Sequence, residues 1–296
     1  MGLRSTVAKK IGASLQSKGV KAPSARSKPG QAVVAFIVVG VWLLVTVVPL
    51  LALLLNSFKP PSDFYSGQFF PTDWTLQNYK QAFNGEVLGV LANSLIVAGS
   101  TVFFSVVLGT MAAYGLSRVR YAWVGVVVYL ILAIRFYPKI TVILPYYVMM
   151  RSLGLLDTLV AMVIAHVSIT LPFVVLVMMT FFAEIPRSLE EAAAIDGASV
   201  VERFRYVVLP LVRPALVTSA ILTAMVSWNE FLMAVSVSGE NARTLPVLVS
   251  SFITDKGIRL GQMATVSVII IVPIALFTLI GQRHLIRGLT LGAVKE

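Results

Sequence analysis

Long apolar runs separated by short polar stretches dominate the chain. Six runs are candidates for membrane-crossing helices: 32–56, 88–115, 121–138, 158–182, 211–237 and 262–282. A helix needs about 20 apolar residues to cross the roughly 30 Å hydrocarbon layer, whereas a barrel strand has about ten residues of alternating character. The runs are longer than strands and apolar on all sides, so the pattern predicts an all-α integral membrane protein with six transmembrane helices.

The third run is the least regular of the six. Arg135, Pro138 and Lys139 crowd its end, and apolar residues resume over 141–150. A re-entrant or interfacial segment is therefore an open alternative there. Prolines within the spans are expected to kink them: Pro49, Pro138, Pro172 and Pro273.

Composition supports a membrane protein. The chain has 296 residues, of which 57% are hydrophobic and 12% charged. A soluble domain of this length would leave too much apolar surface in water. The chain has no cysteine, which excludes disulfides and thiolate metal sites, and no metal site is predicted.

The placement of the basic residues predicts the orientation of the spans. The net charge is +11, and 16 of the 24 Lys and Arg residues lie in 1–31, 115–122, 182–214 and 283–296. Basic residues favour the cytoplasmic side of a membrane, so both termini are expected in the cytoplasm. We interpret the basic tail 1–31 as a topology signal and lipid-surface anchor rather than a nucleic-acid site. The body that contains the six predicted spans is then 32–282, followed by a cytoplasmic tail, 283–296.

A polar stretch between the fourth and fifth runs is unusually acidic. We call 184–210 the acidic loop, because five of the chain's 13 acidic residues lie in it. Ser188 and Glu191 have capping-box spacing, alanines follow, and Gly197 is suited to a left-handed helix end. Ser199 and Glu202 repeat the capping-box spacing. The loop therefore predicts two short helices joined by a glycine turn, the second ending near Val208 before Leu209-Pro210.

From spacing alone, this loop is equally a docking element or an ordinary capped loop. However, Glu191-Ala192-Ala193, Gly197, Val207 and Leu209-Pro210 resemble the EAA loop of ABC importer permeases, with Val207 where the family has Ile. Further stretches resemble the smaller membrane subunit of maltose-type sugar importers: Ser57–Ser62, Asn78-Tyr79, Asn93-Ser94, Ala113–Arg118, Leu153–Thr158, Trp228–Phe231 and Arg287–Lys295. The resemblance runs from about residue 35 to the end of the chain. It implies the type I ABC importer permease fold, with the acidic loop as the cytoplasmic coupling helix.

The resemblance also implies partners and site residues. The chain has no Gly-rich loop ending in Gly-Lys-Ser/Thr, the usual phosphate cradle. The chain is therefore not expected to be an enzyme or to bind a cofactor; ATP and Mg²⁺ belong to a partner ATPase dimer. The other expected partners are a second homologous permease, an extracytoplasmic solute-binding protein and inner-membrane lipid. The residues expected to reach the ATPase are Glu190, Glu191, Ala192, Ala193, Gly197, Leu209 and Pro210, with Gly288, Thr290, Gly292 and Lys295 of the tail.

Polar residues in or near spans are candidates for the substrate pathway, because burying them in lipid is costly. These candidates are Asn93, Arg135, Tyr137, Trp228, Asn229 and Glu230. His166 is interpreted as a helix-packing residue rather than a ligand. The aromatic residues of 58–86 are interpreted as an interfacial belt and a subunit-packing surface.

Two other classes of protein remain as alternatives. An ion-coupled secondary transporter would need a mid-membrane proton site, and His166 is the one candidate. A membrane-anchored scaffold would have no pathway at all. Within the importer interpretation the cargo is an oligosaccharide or a related sugar or polyol, and its charge is left open.

Overall fold

The computed structural model describes residues 29–255 and 257–291. In chain order the helices are α1 (Pro29–Ser57), α2 (Gln77–Asn84), α3 (Val87–Arg118), α4 (Trp123–Phe136), α5 (Lys139–Ser152), α6 (Leu159–Glu184), α7 (Arg187–Ile195), α8 (Val200–Leu211), α9 (Arg213–Trp228), α10 (Leu232–Val237), α11 (Leu245–Ser251) and α12 (Leu260–Leu291). A 3₁₀ turn covers Pro61–Tyr65, and Ile253–Thr254 and Gly257–Ile258 form a two-residue antiparallel ladder. Within the described residues, the regular secondary structure is helical apart from that small ladder.

The chain divides into two units, 1–51 and 52–296. Within the first unit, the large apolar side chains of α1 are exposed along its length. The apolar part of the helix, Val33–Ser57, has 25 residues, enough to cross a bilayer. A helix that is apolar all round satisfies its own backbone groups and exposes only hydrocarbon, which suits it to lipid.

The centre of the second unit is the pairing of α3 with α6. Both helices, like α12, are long and apolar enough to cross a membrane. A Cβ added at Gly109 of α3 would lie 2.7 Å from a methyl group of Val174 on α6. Small residues allow this close approach of helices in membranes, and α9 packs against both α3 and α6.

Two helix pairs are bent where length alone predicts one straight span. Helices α4 and α5 meet at 97° across Tyr137-Pro138, and α8 and α9 meet at 76° at Val212. Each of α4 and α5 has 14 residues, or about 21 Å at 1.5 Å per residue, too short to cross alone. The described residues thus contain four helices long and apolar enough to cross a membrane, or up to six if each bent pair is one span. The irregularity expected at Pro138 is confirmed.

The fifth expected span, 211–237, is not one continuous helix. Its helix, α9, begins at Arg213 and ends at Trp228, and a break separates it from α10. Polar side chains add hydrogen bonds there: the Asn229 side-chain amide donates to the Met225 carbonyl over 2.8 Å, and the Glu230 carboxylate accepts from the Met233 backbone amide over 3.0 Å. Helix breaks at membrane depth are tolerated where the freed backbone groups find such partners.

Candidate functional site

The acidic loop forms the two predicted helices, with one difference at its start. Helix α7 begins at Arg187, and Pro186 is its N-cap residue, with no side-chain cap. Ser188 therefore lies inside the first turn, and the capping box expected from Ser188 and Glu191 is absent. Pro186 explains the change, because its fixed φ allows the helix to begin directly after it.

The glycine turn that ends α7 is confirmed. Gly197 has φ +89°. The Ala198 amide donates to the Ala193 carbonyl over 2.9 Å and the Gly197 amide donates to the Ala194 carbonyl over 3.1 Å. These two bonds form a Schellman motif, which requires a left-handed residue at the position of Gly197.

The capping box at the start of α8 is also confirmed. The Glu202 amide donates to the Ser199 hydroxyl over 3.3 Å, and the Ser199 amide donates to the Glu202 carboxylate over 2.8 Å. The expected end near Val208 is wrong, since α8 continues through Leu209-Pro210 to Leu211. A π-helical turn over Arg203–Val208 precedes Pro210, and such wider turns accommodate the hydrogen bond that a proline cannot make.

Glu190, expected on the docking face, points into the protein instead. Its Oε1 accepts from Arg118 Nε over 2.7 Å and lies 2.6 Å from Arg118 Nη2. Its Oε2 accepts from the Tyr114 hydroxyl over 2.7 Å. The Glu190 and Arg118 side chains are 9% and 17% exposed. We call Tyr114, Arg118 and Glu190 the Glu190 cluster.

The Glu190 cluster joins the end of α3 to three neighbouring segments. Arg118 donates to the Phe182 carbonyl of α6 over 3.0 Å. The Tyr114 ring packs against Phe204 of α8, with ring centroids 4.8 Å apart. Arg187 of α7 donates back to the Ser117 carbonyl over 3.1 Å. The loop is thereby held against the body of the protein by polar contacts and ring packing.

The rest of the loop presents an exposed face. Glu191, Ala192 and Gly197 are exposed, while Ala193, Leu209 and Pro210 are half-buried. Large apolar side chains flank them, with Ile195 87% and Val201 72% exposed. Exposed apolar patches of this kind mark interaction surfaces.

A cavity of about 800 Å³ lies in the second unit, and two of the pathway candidates line it. Arg135 and Tyr137 are at its wall together with Lys139. The Arg135 guanidinium lies over the Phe173 ring, 5.1 Å from its centroid. The remaining wall is mostly apolar and comes from α4, α5, α6, α9 and α10, with Ser168 and Thr170 as hydroxyl-bearing members.

Glu230 lies behind this wall, paired with Lys139. Its Oε2 is 2.6 Å from the Lys139 ammonium, and the two side chains are 4% and 45% exposed. The pair joins the break between α4 and α5 to the break between α9 and α10. Two interrupted helices therefore meet through one ion pair beside the cavity.

The other pathway candidates lie apart from the cavity lining. Asn93 donates to the carbonyls of Asn241 and Arg243 over 2.8 and 3.1 Å. Trp228 is buried, and its indole donates to the Ile270 carbonyl over 3.1 Å. The Asn229 side-chain amide donates to the Met225 carbonyl at the end of its own helix. These three side chains hold helices and loops together in the structure.

His166 occupies the packing position that the sequence favoured. It is buried, and its Nδ1 lies 2.7 Å from the Ser227 hydroxyl. Of the tail candidates, Gly288 and Thr290 fall within the described length of α12, whereas Gly292 and Lys295 lie outside the described residues.

Sequence reasoning missed three polar residues that organise these regions. Tyr114 and Arg118 were part of a stretch resembling a known family but carried no assigned role. The sequence signal for Arg118 was its position as a basic residue at the end of an apolar span. A basic residue there needs an acidic partner if it is not in water. Asp157, at φ 56°, accepts from the amides of Gly239 and Ala242 over 2.7 and 2.9 Å; no sequence pattern indicates this distant contact.

Comparison with known proteins adds a family assignment to this geometry. Residues 105–291 match the model of the family described as binding-protein-dependent transport system inner membrane component. The trehalose transport system permease protein SugB of Mycobacterium tuberculosis is 36% identical over 268 residues, covering 89% of this chain and 96% of that protein. The sulfoquinovosyl glycerol transport system permease protein SmoH of Agrobacterium fabrum is 33% identical, covering 88% and 93%. The trehalose/maltose transport system permease protein MalG of Thermococcus litoralis is 30% identical, covering 83% and 91%.

Solved structures agree on the fold. A chain of a bacterial ABC transporter involved in the import of the acidic polysaccharide alginate superposes with a TM-score of 0.76 at 23% identity, covering 88% of this chain and 98% of that one. A chain of the MetNI methionine ABC transporter gives 0.56 at 23% identity, covering 71% and 98%.

Proposed function

The chain belongs to the binding-protein-dependent transport system inner membrane component family, and we propose from this that it is a permease subunit of an ATP-driven sugar importer. Relatives that transport trehalose, maltose and diacetylchitobiose support a carbohydrate cargo. The proposed cargo is an oligosaccharide or a related sugar or polyol. The proposed location is the inner, or plasma, membrane of a bacterial-type cell.

The structural observation that carries the proposal is the exposed face of the acidic loop. Two capped helices hold Glu191, Ala192 and Gly197 outward beside Ile195 and Val201. An apolar, small-residue surface with one fixed carboxylate suits a groove with a basic residue on another protein. We propose that the ATPase dimer binds this face. We also propose that ATP and Mg²⁺ are bound by that dimer and not by this chain.

The proposed topology has six crossings, with the bent pair of α4 and α5 counted as one and α9 with α10 counted as another, so that α8 stays in the acidic loop. Six crossings then place both termini in the cytoplasm, together with the acidic loop, in keeping with the distribution of Lys and Arg. The sequence after the described helix α12, including Gly292 and Lys295, would extend towards the ATPase subunits, along with Gly288 and Thr290.

The cavity beside the two helix breaks is the proposed part of the translocation pathway in this chain. Its apolar wall offers surface for sugar rings, and Arg135 and Tyr137 offer donors for hydroxyl groups. No carboxylate of the described residues forms an ion pair with Arg135, so its guanidinium is available to a ligand. A second homologous permease would supply the other wall, and an extracytoplasmic solute-binding protein would deliver the cargo.

The experiment that tests this function is reconstitution of the complex that co-purifies with the chain. In proteoliposomes, a sugar-loaded binding protein should stimulate ATP hydrolysis and sugar uptake, and a panel of sugars would identify the cargo. Uptake that needs a proton gradient but no ATP, and is lost in His166→Ala, would instead establish an ion-coupled transporter. Normal sugar uptake in cells lacking the gene would favour a scaffold without a pathway.

A further inference from the structure

The acidic loop is joined to the rest of the protein by non-covalent contacts as well as by the chain itself. Its helices follow α6 directly and lead directly into α9. The Glu190 cluster adds an attachment to α3, which is 72 residues away in sequence at Arg118 and 76 at Tyr114. Arg118 also binds the end of α6 through the Phe182 carbonyl. One guanidinium thus links α3, α6 and α7.

Glu190 and Glu191 are neighbours in sequence but differ in surroundings. Glu190 is 7% exposed and its two carboxylate oxygens are occupied by Arg118 and Tyr114. Glu191 is exposed. Successive positions on an α-helix are about 100° apart, so one carboxylate faces α3 while the other faces outward.

The Glu190 and Arg118 side chains are both shielded from water, so the ion pair between them is rigid. Charge-assisted hydrogen bonds are shorter and stronger than neutral ones, and removal of one member leaves an uncompensated buried charge. The Tyr114 ring adds packing against Phe182 of α6 and Phe204 of α8. A displacement of α7 that left α3 in place would have to break these contacts together.

We propose that Glu190 is a positioning residue that transmits movement of the acidic loop to α3, and that it does not contact the ATPase. This inference rests on the proposed function of the loop. Movement delivered to Glu191 and its exposed neighbours then reaches the body of the permease through Arg118 and Tyr114, in addition to the chain connections to α6 and α9.

The test uses the co-purified complex in proteoliposomes and spin labels on introduced cysteines. The chain has no native cysteine, so Ser188→Cys on α7 and Val119→Cys beyond α3 give a single labelled pair on exposed positions. Distances are measured without nucleotide and with ADP trapped by vanadate after hydrolysis of ATP. The expected result is one narrow distance in both states, and a broadened distribution when Glu190→Gln is added.

Transport measurements separate positioning from contact with the ATPase. Glu190→Gln should retain the ATPase subunits during purification but lower sugar transported per ATP hydrolysed by about tenfold or more. The exchanged pair Glu190→Arg with Arg118→Glu should recover part of that ratio, since the ion pair can form again. The matched control is Glu184→Gln, an exposed carboxylate of the same loop, which should leave transport per ATP unchanged.

Two results would overturn the proposal. A labelled distance that changes between the two nucleotide states in the otherwise unaltered chain would mean that α7 moves relative to α3. Loss of the ATPase subunits from the Glu190→Gln complex, with the distance distribution unchanged, would make Glu190 an ATPase contact. Failure of the proposed function is distinguishable, because the complex without substitutions would then lack ATP-driven uptake.

Discussion

Two buried carboxylates, Glu190 and Glu230, each form an ion pair at an interruption in the helices, but their partners differ. Arg118 is 17% exposed beside Glu190, whereas Lys139 is 45% exposed beside Glu230. Arg118 makes bonds to two segments, and Lys139 is a flexible ammonium at the edge of a cavity. The same chemistry therefore gives a contact enclosed on both sides at the acidic loop and a contact with one half-exposed partner at the cavity.

The difference follows from solvation. When a pair is buried on both sides, separating it leaves a charge without water or partner, which is strongly unfavourable. When one partner is half exposed, as Lys139 is, removal of the buried partner leaves a charge that is not buried, so the loss is smaller. A guanidinium also offers several donors in a fixed plane, whereas an ammonium behaves as a point charge.

The largest expected effect comes from Gly197→Pro at the turn between α7 and α8. Proline fixes φ near −65°, which is incompatible with the observed +89°, and it removes the amide that donates to Ala194. The orientation of α7 on α8 should be lost while the spans insert normally. We expect ATP-driven uptake to fall by more than about tenfold, measured in proteoliposomes, since misplaced coupling elements reduce rates by such factors.

The control for this turn is Gly67→Pro. Gly67 also has a positive φ, +71°, but lies at the other end of α3 from the acidic loop. It should carry similar backbone strain without loss of coupling. Equal loss of uptake in both variants would mean that strain alone, and not the loop, explains the effect.

Glu190→Ala is expected to have the next largest effect, on stability. It leaves the buried Arg118 guanidinium without a carboxylate, a change that costs about 3–5 kcal/mol. The thermal midpoint of the detergent-solubilised complex should therefore fall clearly. Removing both members, by Glu190→Ala with Arg118→Met, should recover part of the loss, because no buried charge remains; a double variant as unstable as the sum of both single variants would contradict the pairing.

Much of the fold could be predicted from apolar length, and less of the site. The runs at 32–56, 88–115 and 158–182 correspond to α1, α3 and α6, since lipid demands long apolar helices. The apolar pattern did not predict the break after Trp228, because Phe231 and Leu232 continue the apolar run. Glu230 breaks the pattern by itself, and only the distant Lys139 shows why it is tolerated.

The acidic loop shows the same limit at the scale of single turns. Ser188 and Ser199 have identical capping-box spacing, and only Ser199 forms the box. Local sequence gave no way to choose, although Pro186 was a local sign that the helix could begin earlier. Whether Glu190 or Glu191 faces inward depends on Tyr114 and Arg118, more than 70 residues away, so helical period alone could not assign it.

Glu230→Ala should have a smaller effect than Glu190→Ala. The half-exposed Lys139 ammonium can turn into the cavity, so the main loss is the hydrogen bond to the Met233 amide. An unpaired buried amide costs about 1–3 kcal/mol. The thermal midpoint of the complex should fall less than for Glu190→Ala, and a larger fall would show that the cavity pair is the more rigid of the two.

Asp157 is expected to give the smallest effect, and one that depends on pH. Burial alone would raise the pKa of its carboxyl, but hydrogen bonds donated by the Ala242, Asn241 and Gly239 amides outweigh burial and hold the pKa below its usual value. Stabilisation by this carboxylate is therefore fully present above the pKa of the unfolded chain, about 3.9. It is lost as pH falls through the lower pKa of the folded protein.

Asp157→Asn removes the charge but keeps one acceptor oxygen for the same loop. Near neutral pH it should lower the free energy of unfolding by about 1 kcal/mol. This is the difference between a hydrogen bond to a charged group and a hydrogen bond to a neutral one. The thermal midpoints of the variant and unaltered complexes should begin to converge as pH falls below about 4, the pKa of the unfolded chain, and should meet below the lower pKa of the folded carboxyl. Glu240→Gln, an exposed carboxylate in the same loop, should show no such convergence because its midpoint should not differ at any pH. A constant difference between Asp157→Asn and the unaltered complex down to pH 3 would mean that the shape of the side chain, and not its charge, holds the loop.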